Sequence, residues 1–305
     1  MIQEYVNKLI ENLPDHIKNS KTPIVIDLVL DGGFFNGSYL AGALFFLKEM
    51  EKRNYIKIDR ISGCSIGSVA GLLYLNDWLD EIPKLYELSI DTFKKTHRLE
   101  IIKDIKKHLE PYITNDMYKK ASQKLYINYN HVVKMKRYVK NKYKSNDDLF
   151  DTITKSCFAP YLVDGNAIYK NKYVDGISPY IFKKEEGKKI LYLELFSRDK
   201  IAHMISIKNE KTNFHRVLTG LLDIHNFFIK ETNTPMCSYV NDWSYITNCR
   251  QQIKLFLEKV LVYIIYILSI IKNYIPQEFQ STVFYKIIYK ISYEIFIIIL
   301  ETYCI

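Results

Sequence analysis

Ser65 stands between Gly63 and Gly67 in the run Gly-Cys-Ser-Ile-Gly, with an apolar segment on either side. A serine flanked in this way at a strand-to-helix turn is carried on a sharp bend, which lifts its hydroxyl to a helix N-terminus where the helix dipole favours a developing anion. That is the placement of a nucleophile in acyl transfer. The plainer alternative is an ordinary turn in which Ser65 only caps the following helix. A second bend, Asp31-Gly32-Gly33-Phe34-Phe35-Asn36-Gly37, offers consecutive main-chain N–H groups at another helix start, as stabilisation of a tetrahedral oxyanion requires. Gly32 and Gly33 are the first-choice donors, with the Phe34 amide beside them. The bend has neither the spacing of G-x-G-x-x-G nor the Gly-Lys-Ser/Thr of a P-loop, which argues against a nucleotide.

An activated serine needs a base. Two Val-Asp-Gly triplets compete, at Asp164 and at Asp175. Asp164-Gly165-Asn166 lies between Tyr161-Leu162-Val163 and Ala167-Ile168-Tyr169, the pattern of a hairpin with an Asp-Gly turn, whereas Asp175 ends the next expected strand, Tyr169 to Val174. An unperturbed aspartate, with a pKa of about 3.9, is a feeble base at neutral pH, so burial or an apolar wall must raise it. His203, His215 and His225 all follow Asp175 and leave a Ser-Asp-His order open, although nothing in their flanks singles one out from a surface or capping histidine. Cys64 is turned aside by an elbow that exposes its central residue, and Cys157 reads as core.

Together these segments resemble the patatin-like phospholipases, lipid acyl hydrolases that pair a serine with an aspartate and use no histidine. Asp31–Gly37 stands in the place of the family's D-G-G-G-x-R/K-G, Gly63–Gly67 is the elbow, and Asp175-Gly176 stands in the place of its D-G-G/A. Ser156-Cys157-Phe158-Ala159-Pro160 looks like the family's small-residue stretch ending in proline, and order and spacing agree across about residues 22 to 200. The chain departs at Phe34, where a third glycine is usual, at Asn36, where a basic residue is usual, and at Ile177. The resemblance implies a patatin-like three-layer α/β/α fold with a mainly parallel central sheet, Ser65 as nucleophile and Asp175 as base. It implies no metal or organic cofactor, and a phospholipid or membrane surface as substrate. The departures motivate the alternative of a catalytically weak protein of this fold that binds lipid or a membrane surface.

The elements around these residues point the same way. Seven of the 11 glycines fall between residues 32 and 71. Ile24 to Leu30 is a β-branched run that reads as a buried strand; Gly37 to Met50 has helical spacing at Leu40, Ala43, Leu44 and Leu47; Tyr55 to Ile61 is a second strand; and Val69 to Leu75 is a buried helix. Strand, glycine loop and helix, twice over, call for a parallel sheet with helical crossovers.

The length of 305 residues suits one α/β domain with an appendage, and 48% hydrophobic and 25% charged residues exclude wholesale disorder. The expected organisation is a helical extension over 1–20, a catalytic domain over 21–235 and an apolar helical region over 236–305. Five cysteines without a C-x-x-C pair argue against a zinc site or a disulfide framework and for a reducing, cytoplasmic compartment, and the charged N-terminus lacks a signal peptide's apolar core. The net charge of +9 is concentrated in residues 83 to 144, which carry +10 and suit either an anionic partner, lipid headgroups or nucleic acid, or simply a solvated helical face and loop; no nucleic-acid fold signature accompanies them. Leu255 to Ile275 and Val283 to Leu300 read as an apolar helical hairpin that covers the site or touches membrane. Its longest uncharged stretch, Val260 to Ile271, is short for a transmembrane span.

Overall fold

A computed structural model describes residues 2–196, 200, 203–208, 210 and 212–305; Met1, which opens the expected N-terminal extension, lies outside the described residues. Two short helices, α1 (Ile2–Glu11) and α2 (Asp15–Lys18), lead into β1 (Ile24–Leu30), α3 (Gly37–Lys52), β2 (Ile56–Gly63) and α4 (Ile66–Leu75). Helices α5 (Ile82–Thr96), α6 (Ile101–Leu109) and α7 (Met117–Ala121) come before β3 (Leu125–His131), β4 (Lys136–Lys140) and α8 (Asn146–Ser156). The chain continues through β5 (Tyr173–Val174), β6 (Lys188–Leu193), α9 (Phe214–Lys230) and β7 (Cys237–Tyr239), and closes with α10 (Tyr245–Tyr274), α11 (Gln277–Ser281) and α12 (Val283–Tyr303).

The strands form one sheet in the order β4-β3-β2-β1-β6-β7, with β5 beside β3. The central strands β3, β2, β1 and β6 are parallel, and the edge strands β4 and β7 are antiparallel. This is the mainly parallel α/β organisation expected from the repeated strand, loop and helix. β1 is apolar on both sides of its pleat, except at Asp27, which pairs with Arg60, because both of its faces are covered. Ile26, Leu28 and Leu30 face a core shared with α1, α3, α4 and α9, while Val29 faces Phe182, Ile190, Tyr192 and Val240.

The structure changes three expectations. β7 belongs to the sheet through its pairing with β6, so the α/β body runs past residue 235 and takes in the first residues assigned to the C-terminal region. The Asp164 hairpin does not form: residues 161–164 are turns, and the strand expected over Tyr169 to Val174 shrinks to Tyr173–Val174 because Lys170 and Asn171 take φ of 49° and 56° and fold back. The C-terminal helices do not simply cover the domain. α10 contributes Val262 and Ile265 to a core with Val132 and Val174, and α12 contributes Leu300 to a core with Phe35, Tyr86 and Phe93. Around these anchors apolar side chains of both helices face outward, among them Phe256 (65% exposed), Ile264 (46%) and Phe284 (65%). No described helix is long and apolar enough to cross a membrane.

Candidate active site

The bend after β2 is forced by close packing. A β-carbon on Gly63 would lie 2.4 Å from the Gly67 carbonyl oxygen, and one on Gly67 would lie 2.5 Å from that of Leu30, so neither position accepts a side chain. Ser65 sits at the top of the bend with φ 48° and ψ −130°, a conformation that costs a non-glycine residue about 1–3 kcal/mol. The surroundings hold it there. The Ser65 amide donates to Ser156 Oγ at 3.0 Å, Ser156 Oγ donates to the Asn128 carbonyl at 2.7 Å, and Ser68 Oγ donates to the Ser65 carbonyl at 2.7 Å. The elbow is thus pinned to the end of α8 and to β3.

Sheet register delivers the acid. β3 pairs with β2 through Leu125 to Ile127 and with β5 through Asn130 and His131, while β4 lies along the opposite edge. β5 therefore continues the sheet beyond the end of β2, next to the elbow, and Asp175 follows it directly. Ser65 Oγ donates to Asp175 Oδ2 at 3.0 Å. The Asp175 amide donates to the Phe158 carbonyl at 3.1 Å, and a β-carbon on Gly176 would lie 2.1 Å from the Asn128 carbonyl, so the turn after the acid is packed as tightly as the elbow. Burial pushes the Asp175 carboxyl up to about 8, with the negative Glu258 acting in the same direction against the opposing Ser65 hydrogen bond. Asp164, its rival, accepts from the Asn166 amide at 3.0 Å and pairs with Lys103 at 2.6 Å, as a turn aspartate does.

The glycine loop lies against the serine, since a β-carbon on Gly32 would be 3.1 Å from Ser65 Cβ. Its amides divide. Gly32 donates to Asp31 Oδ1 at 3.1 Å and Phe35 donates to the Met204 carbonyl at 3.0 Å, whereas the Gly33 and Phe34 amides have no hydrogen-bond partner among the described residues. Phe34 occupies the place of a glycine with φ 48°, a value that favours glycine. Asn36 Oδ1 accepts from Arg216 Nη1 at 2.8 Å, and Asn36 Nδ2 donates to the Lys200 carbonyl at 2.9 Å.

An apolar cavity of about 100 Å³ opens at Ser65 and runs between Phe34, Ile66, Val69, Leu85 and Ile102. Cys64 and Cys157 are buried, and burial pushes both thiols up, so neither is a thiolate nucleophile. None of the three downstream histidines has a described hydrogen bond to Ser65 or Asp175. His215 pairs with Glu210 at 3.5 Å, His225 packs its ring edge-on to Phe46, and the His203 carbonyl accepts from Arg216. The basic middle is partly neutralised in place by Lys103–Asp164, Lys106–Asp147, Lys124–Asp59 and Lys140–Asp148.

Sequence reasoning did not single out Asn130, Arg216, Lys254 or Glu258 as site residues. The last two had a signal: charges four residues apart on a helix that is otherwise largely apolar.

The mouse (Mus musculus) omega-hydroxyceramide transacylase is similar to this chain, at 25% identity over 154 residues, 48% of this chain and 26% of the relative. The chain thus spans about a quarter of that relative's length. Residues 28–177 match the family model of the patatin-like phospholipases, and that segment holds the glycine loop, the elbow and the aspartate in the order found here. Residues 28–177 are a patatin-like phospholipase domain.

Proposed function

We propose that the protein is a lipid acyl hydrolase, a phospholipase A-type serine esterase working through a Ser65–Asp175 dyad at a membrane surface. The observation that carries this reading is the 3.0 Å hydrogen bond from Ser65 Oγ to Asp175 Oδ2 at the mouth of an apolar cavity. In the proposed reaction Asp175, ionised, takes the Ser65 proton as Oγ forms a bond to the ester carbonyl carbon. The carbonyl oxygen becomes an oxyanion held by the Gly33 and Phe34 amides. Gly32 shapes the loop rather than donating, because its N–H is engaged by Asp31. The tetrahedral species collapses and the alcohol leaves with the proton from Asp175; a water deprotonated by Asp175 then attacks the acyl carbon, and as its bond to Ser65 Oγ breaks, Asp175 returns the proton to Oγ and the acid is released.

The outward apolar faces of α10 and α12 support membrane contact, as does the basic balance of the chain. The name of the mouse relative favours a second fate for the same acyl-enzyme, transfer to an alcohol in place of water.

The test is reaction of the purified protein with a serine-directed fluorophosphonate and with phospholipid vesicles, with and without a long-chain alcohol, beside Ser65→Ala and Asp175→Asn. Labelling and fatty-acid release that vanish in both variants support the hydrolase, and alkyl ester formation supports transfer. Vesicle binding by an unlabelled wild-type protein overturns the enzyme reading in favour of a lipid binder.

A further inference from the structure

Both halves of the site are tied to one face of one helix. Lys254 and Glu258 on α10 are four residues apart, and so lie one above the other. Lys254 Nζ donates to both oxygens of Asp31, at 3.1 and 2.9 Å, and to the Tyr192 hydroxyl at 3.2 Å. Asp31 is fully buried, and its carboxylate also accepts from the Gly32 amide at 3.1 Å and the Leu195 amide at 3.2 Å. It thereby sets the turn that leads into Gly33 and Phe34. Glu258, only 4% exposed, accepts from Asn130 Nδ2 at 2.8 Å, and the same nitrogen donates to the Asp175 carbonyl at 2.9 Å.

Stability alone does not account for this arrangement. Glu258 Oε2 and Asp175 Oδ1 are buried without hydrogen-bond partners among the described residues, so a second carboxylate has been brought into a site where a first is already desolvated. We propose that Lys254 and Glu258 are positioning residues of the dyad, Lys254 fixing the oxyanion loop through Asp31 and Glu258 fixing the Asp175 turn through Asn130 while keeping a negative charge beside the base. The proposal rests on the hydrolase reading. It also gives the apolar outer face of α10, with Ile253, Phe256 and Leu257 exposed, a direct connection to the reacting groups.

The groups that face Asp175 are Ser65 and Cys64 from the elbow, Cys157 after α8 and Glu258 from α10; the Lys254–Asp31 pair acts on neighbouring Cys64. Both thiols are held neutral by burial, so Glu258 is the charge that acts on the base. Glu258→Gln keeps an acceptor for Asn130 and removes that charge. The ascending limb of the fluorophosphonate labelling rate against pH is expected to move down by about one pH unit in this variant, a displacement that a merely structural role would not produce. Lys254→Met is expected to slow labelling at least roughly tenfold at every pH, with partial recovery in Lys254→Arg. A Glu258→Gln profile superimposable on wild type, together with Lys254→Met labelling within about twofold of it, would overturn the proposal. Amide exchange of the peptides spanning 28–36 and 173–178 provides a readout that needs no catalysis. Faster exchange in the first peptide for Lys254→Met and in the second for Glu258→Gln supports the bracing, and unchanged exchange overturns it, even in a wild-type protein whose failure to label had already sunk the hydrolase reading.

Discussion

Replacing Asp175 by asparagine should stabilise the protein while removing its chemistry, and the stabilisation should depend on pH in a defined way. The Asp175 carboxyl ionises near 3.8 in an ordinary environment and near 8 in the fold. Between those values the folded state holds a proton that the unfolded chain has released, so stability falls as pH rises through this window and levels off above about 8. At about 1.4 kcal/mol per pH unit, the penalty at pH 7 is roughly 4 kcal/mol. Asparagine cannot ionise and so escapes it, and its oxygen still accepts from Ser65, at a cost of about 1 kcal/mol for an amide NH2 that takes the buried, unpartnered place of Oδ1. The net gain at pH 7 is then about 3 kcal/mol, or roughly 5–10 °C in Tm, shrinking to within about 1 kcal/mol of zero at pH 5. Thermal melts of wild type and variant at pH 5, 7 and 9 measure it. A Tm difference that is constant across the three, or a less stable variant at pH 9, would refute the buried, proton-holding carboxyl on which the dyad's basicity rests.

The rest of the site answers to other perturbations. Gly67→Ala places a β-carbon 2.5 Å from the Leu30 oxygen, and urea melts should show a loss of about 1–3 kcal/mol or no soluble protein. Phe34→Ala removes a wall of the apolar cavity of about 100 Å³ that opens at Ser65. With p-nitrophenyl esters of increasing length, the optimum for kcat/KM should move to longer acyl chains in Phe34→Ala than in wild type. Phe256→Glu and Ile264→Glu alter side chains exposed by 65% and 46%, so vesicle sedimentation should weaken about tenfold or more per site while Tm stays within about 1 °C.

The glycine-bearing half of the site was legible because its constraints are local. Gly63 and Gly67 mark places where backbone meets backbone, and Ile24 to Leu30 has a composition that only a buried strand explains. The strand Tyr55 to Ile61 was placed almost as found, and it runs on to Gly63 because the elbow needs the sheet to carry it to the turn. Beyond residue 160, local pattern and tertiary outcome separate. Asp164-Gly165 has the residues of a hairpin turn, yet Asp164 answers to Lys103 and no second strand pairs across it. A two-residue strand such as β5 carries no periodic signal; it exists because β2 ends early and leaves half an edge of β3 to be filled. The buried charges at 254 and 258 leave a signal that points the wrong way for a related reason: in an apolar helix, a lysine and a glutamate at i and i+4 look like a solvated stripe until their distant partners Asp31 and Asn130 are known.

Those distant partners explain how a loop that departs from its family's pattern keeps its shape. The loop lacks its usual basic residue at position 36, but a cation still reaches it. The Arg216 guanidinium, fully buried on α9, donates to Asn36 and to the His203 and Ser206 carbonyls and pairs with Glu210, so the charge enters from the side of the sheet that packs α3. At the loop's other end Lys254 reaches Asp31 from α10. The bend between them is therefore held at both ends by cations from remote parts of the chain. Under that restraint Phe34 can sit at a φ suited to glycine, its cost offset by packing against the core around Phe35 and the core around Phe158 and Val163. A side chain at that position adds a wall to the cavity beside Ser65 without obstructing the Phe34 amide, because the two point in different directions from the same backbone. On the proposed reading, a phenylalanine at 34 and an asparagine at 36 thus leave the main-chain donors in place and change what the cavity admits.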